Sequence, residues 1–370
     1  MASVTSTSDA RPTSAQSRDD DRTWNVIVSF VTLFLVLGSY ALLETARDTM
    51  FLSHLSAHKL PWAYLSTALV VSLLAWLVPT LTKQASRRRT GILLWLTGAT
   101  MFVTWALGAR SALGLYALYT TVGVAGTLIL VQLWTLIGAQ LTIREARRLF
   151  ALIAAGGVLG TMAGSALAVR IVDHAGARTL LGLGAVGLGA GGFGPFLLRR
   201  RLATVTAPVP VEPESTTPLG RLYRTEYARR IFWLVALTTI ATTVGDFIFK
   251  GAVASTRPPS ELGSFFAMYT LVINGVGLVM QLVVAPLLFR RVGAHRMVLL
   301  LPFFTLASAI GFVFVPGLVA ALSMKSVDGS LRSSVHRTST EVLYLPLPLE
   351  VRGKLKTLVD GVGQRSAQAV

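Results

Sequence analysis

The stretch Ile231-Phe-Trp-Leu-Val-Ala-Leu-Thr-Thr-Ile-Ala-Thr-Thr-Val-Gly-Asp246-Phe-Ile-Phe-Lys250-Gly-Ala-Val-Ala254 is apolar over a length that crosses a bilayer, yet it holds an acid and a lysine one helical turn apart. Charge in hydrocarbon is costly, so the pair is expected to face a protein interior or a water-filled path. The first long apolar segment repeats the pattern. There Trp24 to Thr45 runs into Arg47-Asp48 before Met50-Phe51-Leu52 restores the apolar character. Two spans thus place ionisable groups at similar depths.

Of the 370 residues 53% are hydrophobic and 14% charged, far below the roughly 25% charge of a soluble domain, which predicts a polytopic, all-α membrane protein. Cysteine is absent, which excludes disulfides, thiolate metal sites and cysteine nucleophiles, and five scattered histidines do not make a zinc site. The net charge of +17 would point to nucleic acid in a soluble chain; here its distribution decides the reading. Residues 1–23, rich in Ser, Thr, Asp and Arg, have neither a basic n-region nor a cleavage site, and are expected to be a disordered cytoplasmic tail before an uncleaved first span.

Apolar stretches occupy 24–52, 61–82, 91–109, 112–139, 149–171, 177–198, 231–254, 264–289, 297–315 and, less cleanly, 318–345, which predicts about ten spanning helices. Alternate connections are basic: Arg87-Arg88-Arg89; Arg144, Arg147 and Arg148; Arg199 to Arg201; Arg290, Arg291 and Arg296; Arg352, Lys354 and Lys356. About 20 Lys and Arg lie on that side against about 7 on the other, which puts the N-terminus in the cytoplasm, with a bacterial inner membrane as the expected location. The Pro-rich connection 199–230 reads as a cytoplasmic linker between an N-terminal six-helix bundle, 24–198, and a C-terminal bundle, 231–370.

The halves echo one another. Arg47-Asp48 and Asp246 fall at matching places, each second helix ends in a basic turn, and Glu145-Ala-Arg147 followed by Gly156 is matched by Glu350-Val-Arg352 followed by Gly361. Two parallel bundles around a central path are the plan of major facilitator transporters, whose substrate site lies near the midplane between halves. On that plan the second half is incomplete, because an eleventh helix starting near Leu358 has too few residues before Val370, as in a truncated product or a fragment.

The tenth segment carries Lys325, Asp328, Arg332, Arg337 and Glu341, so it is expected to line a cavity or leave the hydrocarbon core. Arg332, with Arg337 and Lys325, is a candidate for neutralising an anionic substrate; the alternative is ion pairs of Arg332 with Asp328 and Arg337 with Glu341. Asp246 and Lys250, and Arg47 with Asp48, likewise read either as transport residues or as structural pairs, Lys250 also as a snorkelling lysine. The glycine tracts 156–164 and 182–192 lack the lysine and the preceding strand of a phosphate loop, so close helix packing is expected of them.

Several of these regions together resemble the non-mitochondrial ATP/ADP translocase family of nucleotide transporters, which is distantly major-facilitator-like. Ala46-Arg47-Asp48-Thr49 is similar to its basic-acidic motif in the first helix. Asp246-Phe-Ile-Phe-Lys250 followed by Pro258-Pro259-Ser-Glu261 and Phe265-Phe266 is similar to its acid-x-x-aromatic-Lys motif and following loop. Glu341-Val-Leu-Tyr344-Leu-Pro346-Leu347, then Arg352-Gly353-Lys354 and Asp360, resembles the segment entering its eleventh helix, and Trp134 to Gln140 with Glu145 to Phe150 is a weaker match.

The resemblance implies exchange of ATP against ADP. By position Arg47 and Arg332 stand where the family has lysines, Asp246 where it has an acid, Lys250 on its motif lysine, and Gln140 near a position where an acid occurs. Substitution of Arg for Lys keeps the charge and changes the geometry of anion recognition. The reading that follows is an antiporter of anionic nucleotides, with Arg47, Lys250 and Arg332 neutralising phosphate and Asp48 and Asp246 as pairing acids. Its partners are ATP, ADP and the lipid bilayer; neither a cofactor nor nucleic acid is implied. The alternatives are a major facilitator for another anionic or drug-like solute and a non-transporting sensor or anchor module. A membrane enzyme is the weakest rival, since no constellation of His, Cys or carboxylates resembles a catalytic centre.

Overall fold

A computed structural model of the chain describes residues 14–77, 86–108, 111–141, 143–199, 226–284 and 299–331, with Leu287, Arg291 and Met297. Every regular element among them is helical. In chain order they are α1 (Ser14–His54), a 3-10 turn (Ala57–Lys59), α2 (Leu60–Leu77), α3 (Arg87–Leu107), α4 (Ala112–Gly138), α5 (Ile143–Gly191) and the single turn α6 (Gly194–Leu197). The second half contains α7 (Glu226–Thr256), α8 (Leu262–Val279, continued as a π turn over Met280–Val284), α9 (Leu300–Phe314) and α10 (Leu318–Leu331).

Among the described residues six helical runs are long and apolar enough to cross a membrane, and one of them, Leu152–Leu197, covers two expected spans because it bends at Gly176. At that bend φ is 75°, a conformation glycine adopts without steric cost. The helices α2, α9 and α10, with 18, 15 and 14 residues, occupy three further expected positions. Helical residues therefore stand in each of the ten expected spans, the tenth being described only to Leu331. Two boundaries differ from expectation. Helix α1 begins at Ser14, inside the segment expected to be a disordered tail, and Asp21 in its early turns pairs with Arg199 at 2.7 Å. Helix α7 begins at Glu226, inside the expected linker, where Glu226 meets Arg230 at 2.6 Å. An acid in the first turn, as Glu226 is in α7, favours such extension.

Local chemistry sets the other ends. Ser86 and Ser111 cap α3 and α4 by accepting from the backbone N–H of Arg89 and Gly114. The last turn of α3 is closed by Arg178, which donates to the carbonyls of Trp105 and Ala106 at 2.6 and 2.7 Å. Hydroxyls on the outward faces, such as those of Thr100 and Thr104, bond back to their own helix at 2.8 Å, which satisfies their donors without water. The outward faces are apolar: Leu113 is 81% exposed and Phe314 79%, a surface that only lipid makes favourable.

Helix α1 runs between the two arms of α5. On one side Gly156, Gly160 and Gly164 lie against Phe30, Phe34 and Gly38, so closely that a Cβ on Gly156 would sit 2.6 Å from the Phe30 carbonyl oxygen. On the other side Gly184, Gly187 and Gly191 face Leu43, Ser39 and Val36. The glycine tracts are packing surfaces, as their four-residue spacing implies. The first half closes on itself where Trp24 donates to the Leu197 carbonyl at 2.9 Å and Asn25 exchanges two hydrogen bonds with the Arg199 backbone. Arg199 thus shares one end of the bundle with the start of α1. That end is called the basic face below. The turns at 55–59, 257–261 and 315–317 lie at the opposite face. From the second half, α8 packs on α5 and α1, with Gly263 against Val172 and Thr49, and α10 packs on α7 through Met324 and Gly245.

Candidate functional site

The charges of the first, seventh and tenth spans meet at one level. Asp48 lies six residues before the end of α1, Lys250 six before the end of α7, and Lys325 seven after the start of α10. At about 1.5 Å per residue each stands roughly 10 Å in from the opposite face, about a third of the way through a ~30 Å hydrocarbon core. Tyr119 of α4 lies at the same depth. Four helices that are far apart in sequence therefore deliver polar side chains to one point.

Lys250 is the centre of the cluster. Its Nζ is 2.9 Å from Asp48 Oδ2 in the first half and 2.9 Å from Asp246 Oδ2 on its own helix, and donates to the Tyr119 hydroxyl at 3.1 Å. The other Asp48 oxygen accepts from Arg47 Nε at 2.8 Å, and the Arg47 guanidinium lies 4.3 Å over the Tyr119 ring. Asp246 completes the chain: Tyr64 of α2 donates to it at 2.8 Å and Lys325 of α10 stands 2.7 Å away, with Asp328 at 3.7 Å from Lys325. Arg47, Asp48 and Lys250 are all buried. Burial of this kind is tolerated because each charge has a short opposite partner, and the Tyr119 and Tyr64 hydroxyls add a bond each to Lys250 and Asp246.

A cavity of about 250 Å³ adjoins the cluster. Besides the charged groups it is lined by Glu44, Thr67, Thr242 and Thr243, each about a turn nearer the basic face than the cluster residue on its own helix. On the opposite side the cluster is covered by buried Phe51, Leu60, Leu115, Phe249, Val253 and Phe266, drawn from both halves. Phe51 packs edge-on to Tyr116 and Tyr119 at 5.4 and 5.2 Å, and Phe249 to Phe266 at 6.0 Å. The polar space extends from the cluster toward the basic face, and an apolar layer closes it toward the other.

Of the residues singled out in the sequence, Arg47, Asp48, Asp246 and Lys250 come together here. Gln140 does not: it lies beyond the end of α4 at Gly138, on the order of 30 Å along that helix from Tyr119, near the basic face. Neither of its amide atoms has a hydrogen-bond partner among the described residues. Arg332, Arg337 and Glu341 lie outside the described residues. Asp328, the alternative ion-pair partner for Arg332, lies 3.7 Å from Lys325.

Sequence reasoning passed over Tyr64, Tyr119 and Glu44. Tyrosines in apolar runs read as interfacial anchors, and their role becomes visible only when the fold stacks α2 and α4 beside α7. Glu44 could have been found, since it lies three residues before Arg47 and a turn before Asp48.

The arrangement brings cations and carboxylates of two bundles into contact beside a polar cavity. An anion can be held there where it takes over the contacts of a carboxylate on Arg47 or Lys250.

No family model matches the sequence, and no curated protein matches it. The fold does match solved structures. The nucleoside transporter NupG superposes with a TM-score of 0.65 at 14% identity over 95% of this chain and 88% of that one. The POT family transporter PepTSo gives 0.61 at 12% identity over 92% and 88%. A bacterial homologue of the iron transporter ferroportin in its inward-facing state gives 0.59 at 14% over 93% and 89%. The chain is an integral membrane protein with a major-facilitator-like, two-bundle helical fold. At these identities the likeness defines that fold and leaves the substrate to be argued from the site.

Proposed function

We propose that the protein is a secondary transporter that exchanges anionic nucleotides, ATP against ADP, by alternating access between bundles 24–198 and 231–370 joined by the linker 199–230. The observation that carries this reading is the position of Lys250, 2.9 Å from Asp48 of one bundle and 2.9 Å from Asp246 of the other. A cation shared between carboxylates across the seam is stable while the cavity is empty. It is also the group a phosphate can take over. In the loaded state Arg47 and Lys250 turn to the phosphates, with Arg332 and Arg337 assigned by sequence alone, and Asp48 and Asp246 fall back on Lys325 and Tyr64. The partner exchange links binding to the contacts that hold the bundles together.

Basic connections face the cytoplasm by the positive-inside rule, so the cavity is accessible from that side in this conformation. Its volume, about 250 Å³, is at the small end of the ~300–1,000 Å³ of ligand pockets, so nucleotide entry requires the bundles to part further.

The acids that surround the cations support a second reading, a solute of smaller net charge. Among the described residues Arg47, Lys250 and Lys325 are met in the cluster by Glu44, Asp48, Asp246 and Asp328. Full-length protein in liposomes loaded with ADP is expected to take up labelled ATP, with phosphate-bearing competitors inhibiting and uncharged nucleosides inert. Inhibition by nucleosides or non-nucleotide anions favours the second reading. No uptake across a broad nucleotide panel ends the first.

A further inference from the structure

We infer that an anionic phospholipid of the leaflet at the opposite face inserts one acyl chain between the two bundles, in a second cavity of about 700 Å³. That size lies within the ~300–1,000 Å³ of ligand sites. This cavity shares no described lining residue with the one beside the charge cluster. Its occupant therefore meets none of the cluster's charges, and the inference stands apart from the nucleotide exchange proposed above.

The walls come from both halves. Leu52 and Leu55 stand on the first-half side; Phe247 and Ile248 of α7, with Phe312 and Pro316 around the α9–α10 turn, stand on the other. A chain seated here touches both bundles at once. Along α7 the wall runs from Ser255 to Phe247, eight residues or about 12 Å, most of the ~15 Å depth of one leaflet's hydrocarbon.

Chemistry decides between water and hydrocarbon as the filling. The polar side chains among the described lining residues, Ser56, His58 and Ser255, are all exposed and lie at the rim, in the first-half turn and the last turn of α7. Below them the wall is apolar, and a water placed there lacks the roughly two to four polar partners it needs. Hydrocarbon needs none, and it is at hand. Val313, Phe314, Val315 and Val319, next to the wall residues Phe312 and Pro316, are between 72% and 79% exposed on the outward surface. The rim in turn selects the headgroup. Lys59 follows His58 there, exposed and without an acid partner among the described residues, whereas Arg257 at the same face is engaged by Glu261 at 3.2 Å. A free ammonium beside the Ser56 hydroxyl suits a phosphodiester, which offers acceptor oxygens to both.

The test uses full-length protein in liposomes containing phosphatidylglycerol with a diazirine on one acyl chain, irradiated before and after dilution into detergent, with adducts located by peptide mass spectrometry. Before dilution, adducts are expected at Val319 on the outward surface and on both walls of the cavity. After dilution those at Val319 are expected to vanish and those on the walls to persist, because bulk lipid exchanges away and a chain held between bundles does not. Ala252→Trp and, as a second variant, Ile248→Trp fill the cavity and are expected to remove the wall adducts, with unchanged Val319 adducts in liposomes as the control for insertion. In the wild type the walls are expected to be labelled roughly fivefold more by phosphatidylglycerol than by the same chain on phosphatidylcholine, and Lys59→Gln to abolish that preference. The inference is overturned if the wall adducts vanish on dilution together with those at Val319, if only one wall is labelled, or if a water-soluble diazirine labels Phe247 and Ile248. Walls that neither reagent labels mean that another segment of the protein fills the space, which overturns it equally, and equal labelling by the two lipids overturns the anionic headgroup. None of these readouts depends on nucleotide exchange, so failure of that reading leaves the test intact.

Discussion

Replacing Lys250 by Met removes the one cation among the described residues that touches acids of both bundles, while nearly keeping the length of the side chain. Its side chain is 6% exposed and stands 2.9 Å from Asp48 and 2.9 Å from Asp246, so the substitution leaves two buried carboxylates each short of a partner. Loss of one member of a buried pair costs about 3–5 kcal/mol, and the lower end applies, near 3 kcal/mol. The reason is in the remaining contacts: Asp48 keeps Arg47 at 2.8 Å and Asp246 keeps Lys325 at 2.7 Å. Lys250→Arg keeps the charge and is expected to lose much less. Pairing Lys250→Met with Asp246→Asn in a double-mutant cycle is expected to give a coupling of about 1–3 kcal/mol, because the second change removes the acid that the first leaves exposed. Reversible denaturant unfolding in mixed micelles reads the stability, and ATP/ADP exchange in liposomes, expected to fall to near background in Lys250→Met, reads the function. Additivity within about 0.5 kcal/mol, together with undiminished exchange by Lys250→Met, would refute the reasoning.

Two further outcomes follow from the packing and the cavity. Gly160→Ala puts a methyl group into the α1 backbone at Phe34 and is expected to destabilise by about 1–3 kcal/mol, whereas Gly189→Ala, with no atom within 4 Å of the added carbon, is expected to be nearly neutral; equal melting temperatures for the two variants would contradict the packing. Because the chain has no cysteine, Thr243→Cys and Phe51→Cys can be made without background. A membrane-impermeant thiol reagent is expected to label Thr243→Cys from the cytoplasmic side only and Phe51→Cys from neither side, and labelling of Phe51→Cys from the other side would show that the apolar layer does not close the path.

Much of this architecture was legible in the sequence because lipid allows few alternatives. A segment of some twenty apolar residues is driven to be a helix, which is why the described part of each expected span is helical. The glycine spacing of α5 likewise announced a close neighbour, though which neighbour, α1 on both sides, depends on the bend at Gly176 that periodicity does not reveal. The charge cluster was half legible. Arg47, Asp48, Asp246 and Lys250 stood out by their cost in hydrocarbon, and the i, i+4 pairing of Asp246 with Lys250 follows from helix geometry. That Lys250 also reaches Asp48, and that Tyr64 and Tyr119 complete the shell, is information held between helices and not within any one of them. Gln140 shows the converse limit: a register drawn from resemblance placed it with the site, while the length of α4 carries it to the other end of the bundle.

The grip of α5 on α1 has a consequence beyond stability. With α5 glycines against the α1 backbone on one side and against the side chains of Val36, Ser39 and Leu43 on the other, α1 has little room to slide or rotate, so a displacement of Arg47 and Asp48 is a displacement of α1 and α5 together. The glycine rows then act as the splines of a shaft, transmitting torque from the basic face at Trp24 to a cluster at Arg47 and Asp48 about 24 residues along the helix. A bulky residue far from every charge would thereby alter transport by loosening that drive, a phenotype that a map of solute contacts alone would leave without a cause.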